Sequence, residues 1–264
     1  MNKKTNPGGT EARRFLLLFC SLCLCASVVK SQDARGIVEE AQRRTQSDSQ
    51  RYEGTLQVIN ARGRITEKRW RYNRIGSHGA SKAVLRFTAP AEVKGVALLI
   101  HNHPDRASDQ WMWTPALERD RRIALQDRST RFFGTDFTFE DLEERDVEQY
   151  DYSLIGEEPI EGAACWKLES RPRKTKSSQY THSYLWIRKD NYAFALLEGW
   201  KKDRVVRRVH YRRIEQVSGI WTARQLEVAD PKENSKTILR LEKLEYNVPM
   251  KDEDFTLLAV RRES

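Results

Sequence analysis

The chain has 264 residues, with 47 Lys and Arg against 38 Asp and Glu, which gives a net charge of +9. Charges of both signs are spread along the sequence, so it lacks the concentrated basic stripe typical of nucleic-acid-binding proteins, and we expect no nucleic-acid partner. Three of the four cysteines precede residue 26. The remaining single cysteine excludes a scaffold stabilised by internal disulfides.

The N-terminus predicts a secretory signal peptide over residues 1–31. Four basic residues precede an apolar run from Phe15 to Cys25, which is the expected order of a positive region and a hydrophobic region. This run is shorter than the roughly 20 apolar residues that a membrane-spanning helix needs. We therefore predict export and a periplasmic location, with an uncleaved N-terminal anchor as the alternative.

Cleavage of this segment is predicted after Ser31, with Ser27 as the alternative. A lipid anchor is less favoured, because Leu24 stands before Cys25 where a lipoprotein signal has a small residue. The mature domain is then residues 32–264. The removed segment carries five basic residues and one acidic residue, so the mature chain keeps a net charge near +5.

The first mature element is predicted to be a helix from Asp33 to about Gln50, with Asp33 as its N-cap. Its apolar residues recur at helical spacing along one stripe, which comprises Ala34, Ile37, Val38 and Ala41. The far side of this helix is weakly hydrophobic. We therefore expect it to lie on a surface and not to be a core element.

From Tyr52 onward the pattern changes to a period of two, which predicts β-strands separated by short turns. Strands are predicted at 52–59, 64–74, 82–88, 95–100, 150–156, 163–170, 179–188, 192–200, 204–215, 220–229 and 235–247. Such short connections favour antiparallel neighbours. About a dozen strands without a composition break predict a single domain built on one large antiparallel sheet, either a barrel or a partial barrel.

The stretch from Gln110 to Leu142 interrupts this strand pattern. Trp111 and Trp113 would share one face of a strand that Pro115 ends. The phenylalanines that follow fit neither a helix period nor a strand period, and they are Phe132, Phe133, Phe137 and Phe139. We expect an irregular aromatic loop followed by a short helix, together closing an apolar space over a partly closed sheet.

Residue types that carry catalytic or metal chemistry form no complete set. His101 and His103 precede the turn-forming residues Pro104 and Asp105. The sequence around them offers no further ligands for a tetrahedral metal site, so no metal is predicted. The acidic residues from Glu140 to Glu144 are expected to form a solvated first turn of a helix, and Cys165 is expected to be a passive thiol. With no phosphate-binding loop and no nucleophile motif, the sequence predicts neither an enzyme nor a cofactor.

Several motifs occur in an order that characterises a known family. These are Leu85-Arg86-Phe87 with Pro90 and Lys94-Gly95, Gln110-Trp111-x-Trp113-x-Pro115 with Arg121-Arg122-Ile123, Phe133-Gly134-Thr135-Asp136-Phe137-Thr138-Phe139-Glu140-Asp141-Leu142, and Asp254-Phe255-Thr256. In these motifs the chain resembles the outer-membrane lipoprotein-sorting-like proteins, which are relatives of the periplasmic lipoprotein carriers LolA and LolB. The family more usually has Ser at Thr135 and Tyr at Phe139, and both changes preserve shape.

This resemblance implies a mainly β (α+β) fold, in which a single large antiparallel sheet is curled into an unclosed β-barrel with short helices lidding its concave face. It further implies a monomeric periplasmic carrier that binds acyl chains of lipids or lipoproteins for transfer toward the outer membrane, working with a transporter of the resistance-nodulation-division type. The alternative function is a lipid- or lipoprotein-sensing accessory subunit of a membrane transporter or signalling complex.

Within this family framework, the aromatic side chains of the central stretch are the predicted cavity lining. They are Trp111, Trp113, Phe133, Phe137 and Phe139, with a role confined to the hydrophobic core as the alternative. Arg121 and Arg122 are the predicted contacts to a head group or to a partner, unless they are solvated or paired with Asp120 or Glu118. Gly134 and the N-terminal helix are the predicted moving parts.

Overall fold

The computed structural model of the protein describes Met1 and residues 33–262, so the predicted signal peptide lies outside the described residues. The two α-helices are α1 (Ala34–Thr45) and α2 (Leu257–Arg262). The strands are β1 (Ser49–Ile59), β2 (Ile65–Ile75), β3 (Lys82–Ala89), β4 (Ala97–His101), β5 (Asp109–Thr114), β6 (Arg119–Arg122), β7 (Tyr150–Glu157), β8 (Cys165–Pro172), β9 (His182–Arg188), β10 (Phe194–Lys201), β11 (Arg204–Val217), β12 (Ile220–Asp230) and β13 (Ser235–Tyr246).

All of these strands belong to one 13-stranded antiparallel sheet in the order β6-β5-β4-β3-β2-β1-β13-β12-β11-β10-β9-β8-β7. The first and last strands of the chain pair at its centre, where Leu56 lies opposite Leu239. The edges are β6 and β7, which do not pair with each other, so the barrel is unclosed. The predicted fold is therefore confirmed.

The middle strands are covered on both faces, which explains why β4 is apolar at nearly every position. On β3, Leu85 and Phe87 face the main hydrophobic core on one side of the sheet, which we call the inner face. Val84 points the other way, toward a second cluster that contains Phe255 and Val260 of the C-terminal segment. The alternation along one strand thus supplies two separate cores.

Helix α1 packs onto the inner face. Asp33 caps it, as predicted, because its Oδ1 accepts a hydrogen bond from the amide of Arg35 at 3.1 Å. The helix ends at Thr45, short of the predicted Gln50, because β1 already begins at Ser49. The expectation of a surface element was wrong, since the whole apolar stripe is buried in the main core. The weakly hydrophobic side of α1 is the face of the helix that points away from the sheet.

A close approach between β1 and β2 depends on one glycine. Trp70 lies opposite Gly54 and is only 1% exposed in the main core. A Cβ added at Gly54 would lie 2.2 Å from Trp70 Nε1, so any side chain there displaces the indole. Among the described residues, neither helix is long and apolar enough to cross a membrane.

Candidate functional site

The segment of residues 123–149 connects the two edge strands β6 and β7, and we call it the strap. Because those strands are at opposite ends of the sheet, the connection has to pass over a face of the sheet. It passes over the inner face, where Ile123, Phe132 and Phe137 join the main core beside α1. The predicted aromatic cover is therefore a crossing between edges, held at both ends by strands.

The tip of the strap is a tight turn. The amide of Phe132 donates to the carbonyl of Phe137 at 2.7 Å, and the amide of Thr135 donates to the carbonyl of Phe132 at 3.0 Å. Phe133 and Gly134 occupy the left-handed region, with φ of 46° and 72°. Space is free around Gly134, so the turn needs this glycine for its backbone conformation and not for close packing.

Asp136 anchors this tip to the middle of the sheet. Its carboxylate is fully buried and accepts hydrogen bonds from Ser235 Oγ at 2.5 Å and Thr237 Oγ1 at 2.7 Å, both on β13. Its amide donates to Thr237 Oγ1 at 2.8 Å, and Arg131 pairs with the carboxylate. Because β13 is the central strand, this single side chain fixes the middle of the crossing.

The phenylalanines of the strap pack mainly against the sheet and against one another. Phe132 stacks on Phe87 with ring centroids 5.3 Å apart. The ring of Phe139 lies edge-on to the ring of Phe132, with centroids 5.4 Å apart. Phe133 contacts both Phe87 and Phe132. Phe137 lies 6.0 Å from Trp70. These contacts make the tip of the strap part of the core.

A buried ion cluster holds the C-terminal half of the strap. Glu143 accepts hydrogen bonds from Arg128 Nη1 at 2.7 Å and Gln110 Nε2 at 2.9 Å, and it pairs with Lys176. The side chains of Glu143 and Lys176 are each 2% exposed. The expectation of a solvated acidic turn was wrong, because the segment packs under the sheet and brings its carboxylates to buried cations.

Two other acidic residues of this turn, Asp141 and Glu140, also accept hydrogen bonds from buried donors. Asp141 accepts from the Tyr180 hydroxyl at 2.5 Å and lies 3.2 Å from Arg207 Nε. Glu140 accepts from the amide of Gln179 at 2.8 Å and from the hydroxyl of Ser178. Glu140 has no cationic partner within ion-pair distance in the described structure, and burial raises its pKa.

A cavity of about 250 Å³ lies between the strap, α1 and the inner face of β10 to β12. Its apolar wall consists of Phe137, Phe194, Leu197, Val209, Tyr211 and Leu226. The opposite wall carries the charged residues Glu140 to Arg145 together with Lys176. The cavity is therefore amphipathic, with a wall that fits a hydrocarbon chain and a wall that fits a polar group.

The structure separates the predicted lining residues into two groups. Trp113 packs in the second cluster, on the outer face of the sheet under the C-terminal segment, and Trp111 lies beside it. The prediction that both tryptophans line the cavity is therefore wrong. Side chains at alternate positions of β5 share a face, and the face that carries Trp111 and Trp113 points away from the strap. Of the predicted phenylalanines, Phe137 lines the cavity, whereas Phe133 and Phe139 pack within the strap.

Arg121 and Arg122 lie on the edge strand β6, away from this cavity. Their side chains are 58% and 68% exposed. Arg122 pairs with Asp109 at 2.5 Å, and Arg121 lies 4.0 Å from Asp127, so their carboxylate partners differ from those predicted. Charged side chains at an edge strand also discourage pairing with another chain.

Sequence reasoning missed Arg145 as a site residue. It lines the cavity, its guanidinium lies 4.0 Å from the ring centre of Tyr150, and its Nη2 donates to Ser170 Oγ at 2.8 Å. The only signal in the sequence was one basic residue after an acidic turn, which resembles an ordinary surface pair. Only the crossing of the strap brings it under the sheet.

The remaining candidate groups are accounted for by packing. His101 Nε2 lies 2.9 Å from the carbonyl of Phe255, and His103 Nε2 lies 3.0 Å from Asp109. Residues 33–262 contain no cluster of His, Cys, Asp and Glu suited to a metal. Cys165 is buried on the outer face beside Trp186, and burial raises its thiol pKa.

A second depression, of about 490 Å³, lies on the outer face beneath the C-terminal segment. Charged side chains dominate its lining, among them Arg51, Glu53, Arg71, Arg86, Lys243 and Glu245. Burying hydrocarbon beside so many charges would desolvate them without compensation. The inner cavity is therefore the better candidate for an apolar ligand.

Comparison with known proteins agrees with this architecture. Residues 79–262 match the model of a family described as "Uncharacterized protein". A structure described as an outer membrane lipoprotein-sorting protein domain, from Vibrio parahaemolyticus, is 25% identical, covers 87% of this chain and 98% of its own, and has a TM-score of 0.82. A DUF1329 family protein from Desulfovibrio piger is 28% identical over 86% of this chain and 97% of its own, with a TM-score of 0.81.

A third solved structure shows likeness of fold alone. The LolA superfamily protein from Nitrosomonas europaea is 18% identical, covers 86% of this chain and 99% of its own, and has a TM-score of 0.70. The comparison with curated proteins gave no match.

Proposed function

We propose that this chain, which belongs to the family whose model matches residues 79–262 and is similar to an outer membrane lipoprotein-sorting protein domain, is a periplasmic carrier that binds acyl chains of lipids or lipoproteins in its inner cavity. The observation that carries the proposal is the apolar wall of β10 to β12, which faces a cavity beneath the strap. Carriage requires burial and release of a chain, and no covalent step.

The driving force for binding is the removal of hydrocarbon from water. Each methylene buried against the wall formed by Leu197, Val209 and Leu226 contributes about 0.8 kcal/mol. The cavity of about 250 Å³ is below the roughly 300–1,000 Å³ of typical ligand pockets. Full loading therefore requires the strap to move away from the inner face, and release follows when it closes again.

The location and the delivery of cargo are also part of this proposal. Export by the N-terminal segment would bring the carrier to the periplasm, where transfer of lipid toward the outer membrane takes place. A membrane transporter of the resistance-nodulation-division type is the proposed partner. Its capture by the tagged carrier from detergent-solubilised membranes is the direct test of that partnership, and failure to capture it would contradict the proposal.

The carrier proposal is tested by native mass spectrometry of protein purified from a periplasmic extract. We expect a bound mass in the range of a lipid or an acylated peptide. Leu226→Trp fills the cavity from its apolar wall and should abolish that mass, whereas Leu154→Trp, at an exposed position of β7, should retain it. A clean unliganded mass, together with no uptake of a fluorescent fatty acid, would overturn the proposal.

A further inference from the structure

The charged wall of the cavity contains one cation, Arg145, that has no carboxylate within ion-pair distance in residues 33–262, and Glu140 acts on it only from further away. Arg145 lines the cavity and is bound by a serine hydroxyl and a tyrosine ring, as described above. Within residues 33–262, no carboxylate oxygen lies within 4.0 Å of its guanidinium nitrogens. A buried guanidinium without an anion at contact distance is costly, and an anion that reaches it would lower that cost.

The other charged groups facing this cavity are already satisfied. Glu143 is paired with Arg128 and Lys176. Glu144 lies 3.0 Å from Arg74. Each of these charges has an opposite charge at contact distance. Because Glu143 is shared by Arg128 and Lys176, their cluster keeps one positive charge in excess, and Glu140 acts on Lys176 from further away.

Two acidic residues remain to be considered. Asp141 is paired with Arg207 at 3.2 Å. Glu140 accepts hydrogen bonds from two neutral donors, and burial raises its pKa. Among the cations that line the cavity, Arg145 is therefore the one without a contacting carboxylate, so its guanidinium can receive the anionic group of a ligand.

Aromatic residues complete the surroundings of Arg145. Tyr150 lies beneath the guanidinium plane, and Tyr211 lines the same cavity from β11. The hydroxyl of Tyr211 makes no side-chain hydrogen bond within the described structure, and burial raises the pKa of Tyr211 to about 12, so the phenol keeps its proton. A guanidinium and a phenol that line the same cavity can offer several donors to one anionic group.

We propose that Arg145 and Tyr211 form a head-group subsite that selects single-chain amphiphiles with an anionic head, a carboxylate or a phosphate, whose hydrocarbon lies along the wall of β10 to β12. The proposal rests on the carrier function and names its ligand class. It moves the head-group contact from the exposed Arg121 and Arg122 to the inside of the cavity. The charge of the head replaces water at Arg145, while the chain supplies the bulk of the affinity.

The test compares palmitate with hexadecanol, which has the same chain and a neutral head, by titration against purified protein. We expect palmitate to bind about tenfold more tightly, the ratio that one charge-assisted contact gives. Hexadecyl phosphate, titrated alongside, distinguishes a carboxylate site from a phosphate site. Arg145→Met should reduce palmitate to the affinity of hexadecanol, and Tyr211→Phe should lose a smaller part of the preference.

Two further variants keep the test decisive. Arg145→Lys retains the charge and should keep most of the preference, which separates charge from packing. Arg121→Met removes an exposed cation of β6 and should leave the preference unchanged. Circular dichroism and unchanged hexadecanol affinity verify that each variant folds.

The possible outcomes separate this inference from the function on which it rests. Equal affinity for palmitate and hexadecanol, or a preference that survives Arg145→Met, overturns the head-group subsite while leaving the carrier in place. Loss of the preference in Arg121→Met would return the contact to the edge strand and equally overturn it. If neither hexadecanol nor palmitate binds, the carrier function itself fails.

Discussion

At the scale of single residues, the buried carboxylates of the strap are the main surprise. The acidic turn from Glu140 to Glu144 has the composition of a solvated helix start, yet Glu140 and Glu143 are among the buried residues. Burial of Glu143 is tolerable because Arg128 and Lys176 lie within contact of it. Such a cluster contributes less to stability than to fixing one arrangement, since desolvation offsets much of the attraction.

Removal of the central charge of this cluster should be strongly destabilising. Glu143→Gln leaves the buried cations Arg128 and Lys176 without their shared anion, so we expect the free energy of unfolding to fall by about 3–5 kcal/mol. Urea denaturation measures this change. The matched control is Glu148→Gln on the exposed side of the strap, which should shift stability by less than about 1 kcal/mol. Equal small effects of both substitutions would contradict the role of the cluster.

A second residue-scale prediction concerns pH. Burial raises the pKa of Glu140 in the folded state, so between its unfolded pKa and this higher value the folded protein binds the extra proton. Stability therefore falls as pH rises through that interval. Glu140→Gln removes the cost of ionisation, and its stability relative to the native protein should be higher at pH 7 than at pH 4.

Urea midpoints of both proteins at the two pH values measure the difference. Glu157→Gln, at an exposed position of β7, is the control and should show no such trend. A Glu140→Gln variant whose relative stability is the same at both pH values, or is greater at pH 4, would refute the prediction.

At the scale of elements, the strap covers the inner face of the curled sheet and so encloses the cavity between them. It begins at one edge and ends at the other, and Asp136 ties its tip to the central strand. Two residues that few other amino acids could replace define the path of the strap. They are Gly134, which has a left-handed backbone conformation at the turn, and Asp136, whose carboxylate is buried. The mobility of the strap therefore depends on a small number of polar contacts and not on the packing of a long helix.

Substitution of the anchor should loosen the tip without unfolding the sheet. Asp136→Asn loses the charge that Arg131 pairs with and cannot accept from Ser235 and Thr237 in the same way. We expect about 3 kcal/mol of lost stability and faster hydrogen exchange over residues 131–139. Asp127→Asn, an exposed substitution on the same strap, should change neither quantity. Unaltered exchange in the Asp136 variant would show that the aromatic packing alone holds the tip.

At the scale of the whole molecule, the sheet provides two faces with different tasks. The outer face is sealed near β3 to β5 by Phe255 and Val260, whereas the inner face is covered by α1 and the strap with space left between them. The pairing of β1 with β13 joins the first and the last strand of the chain at the centre of the sheet. The tip of the strap therefore lies over the central strand of the sheet.

This arrangement predicts how the molecule responds to loading. A long chain needs more room than the cavity of about 250 Å³ offers, so binding of palmitate should displace the tip of the strap. Hydrogen exchange should then become faster at the amides of Phe132 and Asp136, while amides of β13 stay protected. Increased protection of the strap on binding would instead mean that the ligand fits without opening.

The sequence by itself determined most of the strands, the single antiparallel sheet and the apolar stripe of α1, because alternation and helical spacing are local properties of the chain. The short edge strand β6 was not predicted. The motif around Phe133 to Leu142 also carried the resemblance to lipoprotein-sorting proteins, which the likeness to a solved structure of that description supports. Only the tertiary structure decided that Trp113 faces outward and that Arg145 faces the cavity. The face that a strand turns toward the strap, and the cations that meet a buried carboxylate, depend on contacts between residues far apart in the chain.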